Sequence, residues 1–124
     1  EKEVYSKIVG KGGLNAYLGT NDMREVTKRA NEGDQEAADV KAAFLYQVAK
    51  DIGSMACVLE GKVDQIIVTG GIAYGPEVIA RLKEYAEWIA PFTVYPGEDE
   101  LESLAENGYG ILAGEVEVKT YSRG

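Results

Sequence analysis

Ile66-Ile67-Val68-Thr69-Gly70-Gly71-Ile72-Ala73-Tyr74-Gly75-Pro76 is the stretch that decides the fold. The run from Val63 to Thr69 is β-branched and nearly all apolar toward its end. That is the pattern of a strand buried on both faces of a parallel sheet. Gly70-Gly71 breaks it sharply, and Pro76 suits the first turn of a helix. Val78, Leu82, Tyr85, Ala86 and Ile89 then keep helical spacing up to Pro91, where Phe92-Thr93-Val94-Tyr95 reads as a second short buried strand.

Working outward toward the N-terminus, the longest element is a helix from about Gln35 to Leu59, with Asp34 as its N-cap and Glu36 in its first turn. Val40, Phe44, Val48, Ile52, Met55 and Leu59 form one apolar stripe along it. The small residues Gly53, Ser54, Ala56 and Cys57 beside the stripe would let another backbone come close, and Gly61 ends the helix. Before it, a helix runs from about Asp22 to Glu32, with Met23, Val26 and Ala30 on one face and Gly33 just past its end. Leu14-Asn15-Ala16-Tyr17-Leu18 alternates and suggests a short strand. Residues 1–9 read as the last turns of a helix already under way, and with no initiator Met they suggest a chain cut from a longer one.

Toward the C-terminus, Pro96-Gly97 turns the chain and Glu98-Asp99-Glu100 enriches the start of a last helix with acids. Leu101, Leu104, Ala105 and Leu112 are expected to face inward. Gly108 and Gly110 each weaken that helix by about 1 kcal/mol relative to Ala, which predicts close packing there or early fraying. The tail, residues 115–124, alternates weakly and is expected to be a strand or disordered. The helix-strand-helix-strand-helix order predicts an α/β layer with a short parallel sheet, in one domain over residues 1–124.

Composition narrows the function. A net charge of −8 argues against non-specific binding to nucleic acid or anionic membranes. No apolar run approaches the roughly 20 residues that span a bilayer, and no secretion signal opens the chain. The lone Cys57 cannot form an internal disulfide, which fits a reducing compartment. With no His, there is no His general base and no His-based zinc site. Arg occurs only at 24, 29, 81 and 123. Phosphoryl transfer depends on positioning and on charge neutralisation by Arg, Lys and Mg²⁺, and too few of these lie near one place for the chain to do it alone.

Three segments are candidates for a site. Glycines at the carboxyl end of a strand, followed by a helix start, let a nucleotide approach the backbone and offer N–H groups to an anion. The alternative is a tight turn; the pattern is neither a Walker A loop nor the dinucleotide fingerprint. In Gly19-Thr20-Asn21-Asp22-Met23-Arg24-Glu25, Asp22 and Arg24 point to different faces if helical, but converge if they sit on the loop. Alternatively Asp22 is simply an N-cap and Arg24 a solvated side chain. The acids of Glu98-Asp99-Glu100 either stabilise a helix dipole or hold Mg²⁺ through oxygen ligands and waters.

Taken together, the segments carry a resemblance. Residues 12–26, from Gly12-Gly13-Leu14 to Arg24-Glu25-Val26, closely resemble the corresponding stretch of butyrate kinases, as do Val68-Thr69-Gly70-Gly71-Ile72-Ala73-Tyr74 and residues 89–100. Order and spacing match too, and the likeness runs from about Lys7 to Leu112. Butyrate kinases belong with acetate kinases in the actin-like ATPase superfamily, two-lobed enzymes with a ribonuclease H-like fold. The resemblance implies that this chain is part of a C-terminal, nucleotide-binding lobe.

It further implies interconversion of butyrate plus ATP with butyryl phosphate plus ADP, with Mg²⁺, in the cytoplasm. The family's Asp-x-Arg motif, which flanks the adenine, falls on Asp22, Met23 and Arg24. Its glycine loop, which holds the adenosine and the adjoining phosphate, falls on Gly70, Gly71, Ile72, Ala73, Tyr74 and Gly75. Its Mg²⁺-linked acid falls best on Glu100, with Asp99 and Glu98 as alternatives. The family's phosphoryl-transferring His and Arg, its first phosphate motif and its carboxylate pocket lie in earlier parts of the protein. The short-chain carboxylate would therefore be met through the N-terminal lobe, and this chain alone is not expected to be active. Glu106-Asn107-Gly108-Tyr109-Gly110 departs from a more Ala- and Leu-rich family pattern, which bears on how the last helix packs. A second reading is an assembly module of such a kinase, since family members form homo-oligomers. A third is a related acetate or propionate kinase.

Overall fold

The computed structural model describes residues 1–97 and 100–121, with Glu100 described by its backbone alone. The elements run α1 (Lys2–Ile8), α2 (Leu14–Leu18), α3 (Met23–Asn31), α4 (Gln35–Val58), β1 (Ile66–Gly70), a 3₁₀ turn (Gly71–Tyr74), α5 (Pro76–Ala86), β2 (Phe92–Pro96) and α6 (Glu100–Leu112).

The α/β expectation holds. β1 and β2 pair in parallel, Ile66 opposite Phe92 through Gly70 opposite Pro96, with the glycine turn and α5 as the crossover that parallel strands require. β1 is shorter at its front than the apolar run predicts. Ile66 N–H donates to the Pro91 carbonyl at 2.9 Å, and Pro91, having no N–H, cannot extend the ladder. The strands are also not buried on both faces. Ile66 and Val68 are half-buried, while Ile67 is 60% exposed and Tyr95 is exposed. Phe92 packs on the cluster shared by α4 and α5, and among the described residues nothing covers Ile67 and Tyr95.

Leu14–Leu18 is a helix, not the expected strand. Gly13 (φ 58°) starts it and Gly19 (φ 71°) stops it in the left-handed region that favours glycine. Leu14 and Leu18, four apart, then share a helical face, and Leu18 is buried. Alternation over five residues does not separate the two periods, and the flanking glycines decide.

Caps set the next two helices. The Asp22 carboxylate accepts from Arg24 N–H at the start of α3, and the Asp34 carboxylate accepts from Ala37 N–H at the start of α4. Gly33 (φ 98°) makes the turn between them. Arg29, unremarkable in sequence, ties this corner together. Its Nε donates to Asp34 at 2.8 Å and its Nη1 to the Leu18 carbonyl at 3.0 Å.

The core has two clusters. Leu18, Val26 and Ala37 join α2, α3 and α4; Leu45, Val78 and Leu82 join α4 to α5. Met23 packs against both, and Ile72 and Phe44 pack against the second. The apolar stripe of α4 is buried only in part, since Met55 and Leu59 are exposed. No atom lies within 4 Å of a Cβ placed on Gly53, so the expected close approach of a backbone there is absent among the described residues.

The last helix corrects another expectation. Leu101, Leu104, Ala105 and Leu112 are exposed rather than inward-facing, Leu112 by 88%. An apolar stripe buries itself only where another element supplies a face, and none does among the described residues. α6 nonetheless continues through both glycines, and Gly110 is closely packed: a Cβ there would lie 2.9 Å from Val116 Cγ2. Residues 115–121 form no strand.

Candidate functional site

The first wall of the site is built at the N-terminus of α3. Asp22 has extended backbone angles (φ −79°, ψ 106°) and stands just outside the helix, so its side chain turns back over the first turn. Its Oδ1 accepts from Arg24 N–H at 2.9 Å and from Arg24 Nε at 3.0 Å; its Oδ2 accepts from Arg24 Nη2 at 2.7 Å. The two side chains therefore converge. This fork-to-carboxylate pairing is the strong, directional form of an ion pair. With the Arg24 side chain as the largest cause and its backbone N–H as the next, the Asp22 carboxyl is held down at about 2. The guanidinium is in turn pushed above its ordinary value by Asp22.

The preceding loop is ordered by a relay. Asp22 N–H donates to Thr20 Oγ1 at 3.2 Å, and the Thr20 hydroxyl donates to Glu25 at 2.8 Å. In a capping box the acid three residues past the cap would meet the cap N–H directly; here a hydroxyl stands between them.

The second wall is the turn after β1. Gly70 (φ 76°) bonds with Gly97 in both directions, N–H to carbonyl at 3.0 Å and carbonyl to N–H at 3.3 Å, which holds the strand end. Gly71–Tyr74 then coils as a 3₁₀ turn, and Pro76 opens α5. The opening N–H groups of such a turn have no partner within it.

These walls meet. A cleft of about 470 Å³ is lined by Asn21, Asp22, Met23 and Arg24 on one side, by Gly71, Ile72 and Tyr74 on the other, and by Leu14 and Phe44. Of the nine residues that the resemblance assigns to the nucleotide, six line this cleft: Asp22, Met23, Arg24, Gly71, Ile72 and Tyr74. The other three lie elsewhere. Gly75 borders a neighbouring hollow, Ala73 is buried and lines a shallow depression with Tyr74 and Pro76, and Gly70 sits at the strand end.

Neither Leu14, which lies in the stretch 12–26 that carries the resemblance, nor Phe44 is among the site residues expected from sequence. Phe44 belongs to the apolar stripe of α4 and reaches the cleft because α4 runs beneath both walls. The cleft thus has an apolar lining from Leu14, Phe44 and Ile72, with Asp22 and Arg24 as its charged members. Such a lining, apolar with a few placed polar groups, is typical of a small-molecule cleft.

Glu98 and Asp99 lie outside the described residues, as does the Glu100 side chain; Glu100 is the first residue of α6. Among the described residues no three Asp, Glu, Cys or His gather into a metal-holding group. No helix described is long and apolar enough to cross a membrane.

Residues 1–87 match the family model described as the acetokinase family. The chain is 55% identical over 121 residues to the probable butyrate kinase of Clostridium botulinum (strain Alaska E43 / Type E3), which covers 98% of this chain and 34% of that protein. Butyrate kinase 2 of Clostridium acetobutylicum is 51% identical over 121 residues, again 98% of this chain and 34% of the relative. The probable butyrate kinase of Bacteroides thetaiotaomicron is 50% identical over 119 residues, 96% of this chain and 34% of the relative. The chain therefore spans about a third of the length of the curated relatives it matches.

Proposed function

Because the chain belongs to the acetokinase family, we propose that it is the adenine-nucleotide-binding part of a short-chain fatty acid kinase that interconverts butyrate plus ATP with butyryl phosphate plus ADP. One observation supports this above the others. The Asp22-Met23-Arg24 segment and the Gly71–Tyr74 turn, remote in sequence, line a single cleft. Its volume lies within the range of small-molecule sites, roughly 300–1,000 Å³.

The residues present fit a nucleotide. Gly71 faces open space, with no atom within 4 Å of a Cβ placed there, so a ligand can come close to the backbone. The apolar lining suits the base, and the opening N–H groups of the turn suit the adjoining phosphate. Asp22 is ionised and already paired, so it repels phosphate and belongs at the adenosine end. Mg²⁺ enters with the nucleotide, since it needs only one or two carboxylates beside phosphate oxygens. Glu100 is our assignment for such a carboxylate, with Asp99 and Glu98 as alternatives.

In this reading the chain positions the nucleotide for in-line transfer, and the carboxylate is supplied from elsewhere in the enzyme. The names of the relatives favour butyrate over acetate or propionate as the acceptor. The site of action proposed is the cytoplasm. The test is a titration of ADP with Mg²⁺ into the isotope-labelled chain, followed through its backbone amides, with GTP as control. Shifts should concentrate at Asp22, Arg24, Gly71, Ile72 and Tyr74. A folded sample whose shifts fall elsewhere would sink the assignment.

A second reading, assembly with another copy, rests on the C-terminal half of α4. Met55, Val58 and Leu59 are exposed there beside an apolar groove of about 390 Å³. A strict monomer by sedimentation at high concentration would remove it.

A further inference from the structure

The two walls are joined by packing only in part: Met23 of α3 and Ile72 of the turn both rest on the Leu45–Val78–Leu82 cluster. Beside that packing lies a hollow of about 210 Å³, lined by Met23 and Thr27 on the α3 side and by Gly71, Gly75 and Val78 on the other. Apolar packing fixes a spacing only where atoms touch, so across this gap it fixes little.

A polar bridge joins α3 and α4 to the start of α5, just after the turn. Asn31, the last residue of α3, donates from Nδ2 to Glu77 Oε1 at 3.0 Å. Lys41 of α4 donates from Nζ to Glu77 Oε2 at 3.0 Å. Glu77 lies in the first turn of α5, immediately after the glycine turn and Pro76. One carboxylate thus takes one bond from each of two other helices. The Lys41 side chain is only 13% exposed, which makes its partner costly to remove. The Glu77 carboxyl is lowered by Lys41 first and Asn31 second, so both bonds favour its ionised form.

We propose that Glu77 is a positioning residue: through Asn31 and Lys41 it fixes the distance between α3 and the Gly71–Tyr74 turn, and so sets the width of the cleft. Its consequence for nucleotide affinity rests on the nucleotide reading above; its effect on cleft geometry does not.

The experiment compares the chain with its Asn31→Ala, Glu77→Ala and Glu77→Gln variants, first without nucleotide and then with added ADP and Mg²⁺. Asn31→Ala cuts only the α3 arm and leaves the Lys41–Glu77 pair intact, so it should fold normally, with Tm within about 2 °C of the parent. It should still shift the amide signals of Arg24, Gly71 and Ile72, which do not touch residue 31. Affinity for ADP should fall about three- to tenfold, a loss typical of disturbed coupling between elements. Glu77→Ala should do more, and Glu77→Gln, whose amide oxygen accepts from Lys41 while its NH2 donates to the Oδ1 of a turned-over Asn31, should recover most of the parent's affinity and cleft signals. Shifts of Asn31→Ala confined to the neighbours of residues 31, 41 and 77 would overturn the proposal. If the parent chain takes up no ADP while the nucleotide-free shifts reach the cleft, the nucleotide reading falls and the positioning role stands.

Discussion

Arg24 Nη2 meets Asp22 Oδ2 at 2.7 Å although the two residues are only two apart. On a continuous helix that spacing would separate them by more than half a turn of arc. They meet because Asp22 is the cap and not a helical residue. Its carboxylate performs two tasks, satisfying a helix N–H and holding the guanidinium at the mouth of the cleft.

That double role has a pH signature. The folded carboxyl lies at about 2, below its ordinary 3.8, so its contribution is complete above about pH 4 and disappears as pH falls through about 2. An NMR titration of the Asp22 carboxyl should give a midpoint near 2. Arg24→Gln should raise it only part of the way to 3.8, because the Arg24 backbone N–H remains. A midpoint of 3.8 in the unmodified chain would refute the pairing.

The glycines of the turn should separate by role. Gly71 has an ordinary φ and free space, so Gly71→Val should fold with little change in urea midpoint yet block nucleotide. Gly70→Val, at φ 76°, should cost about 1–2 kcal/mol or more in the same denaturation experiment. Gly75→Ala should be intermediate, since its new Cβ would sit 3.2 Å from Val78 Cγ2. Equal destabilisation at 70 and 71 would contradict this.

Leu45 is 2% exposed and packs with Val78 and Leu82, while Met23, Phe44 and Ile72 pack on the same cluster. Leu45→Ala should therefore lower stability by about 3 kcal/mol, by lost burial plus a residual cavity. It should also perturb amides in the cleft, whose floor rests on that cluster. A loss below about 1 kcal/mol in urea would mean the two halves are not packed through Leu45.

At Gly110, helix propensity and packing oppose each other. Alanine would favour the helix by about 1 kcal/mol, but its Cβ would collide with Val116. Gly110→Ala alone should displace the segment after α6, read as increased amide exchange in residues 113–118. Combining it with Val116→Ala should restore the segment and raise Tm above the parent. If the single substitution already raises Tm without changing exchange, the contact is absent.

What depends on neighbours along the chain is legible in the residues alone. Asp22, Gly33 and Asp34 mark the limits of α3 and α4 because caps and left-handed turns are settled by one or two residues. The apolar run before Gly70-Gly71, and Pro76 after it, likewise announced β1, the turn and α5. Tertiary structure decided what depends on contact with remote elements. Leu14–Leu18 coils because its glycines permit it and Leu18 has a core to enter. The leucines of α6 stay exposed because no described element covers them. Phe44 lines the cleft because α4 packs beneath α3 and α5 alike. Periodicity tells which residues share a face; only packing tells what that face meets.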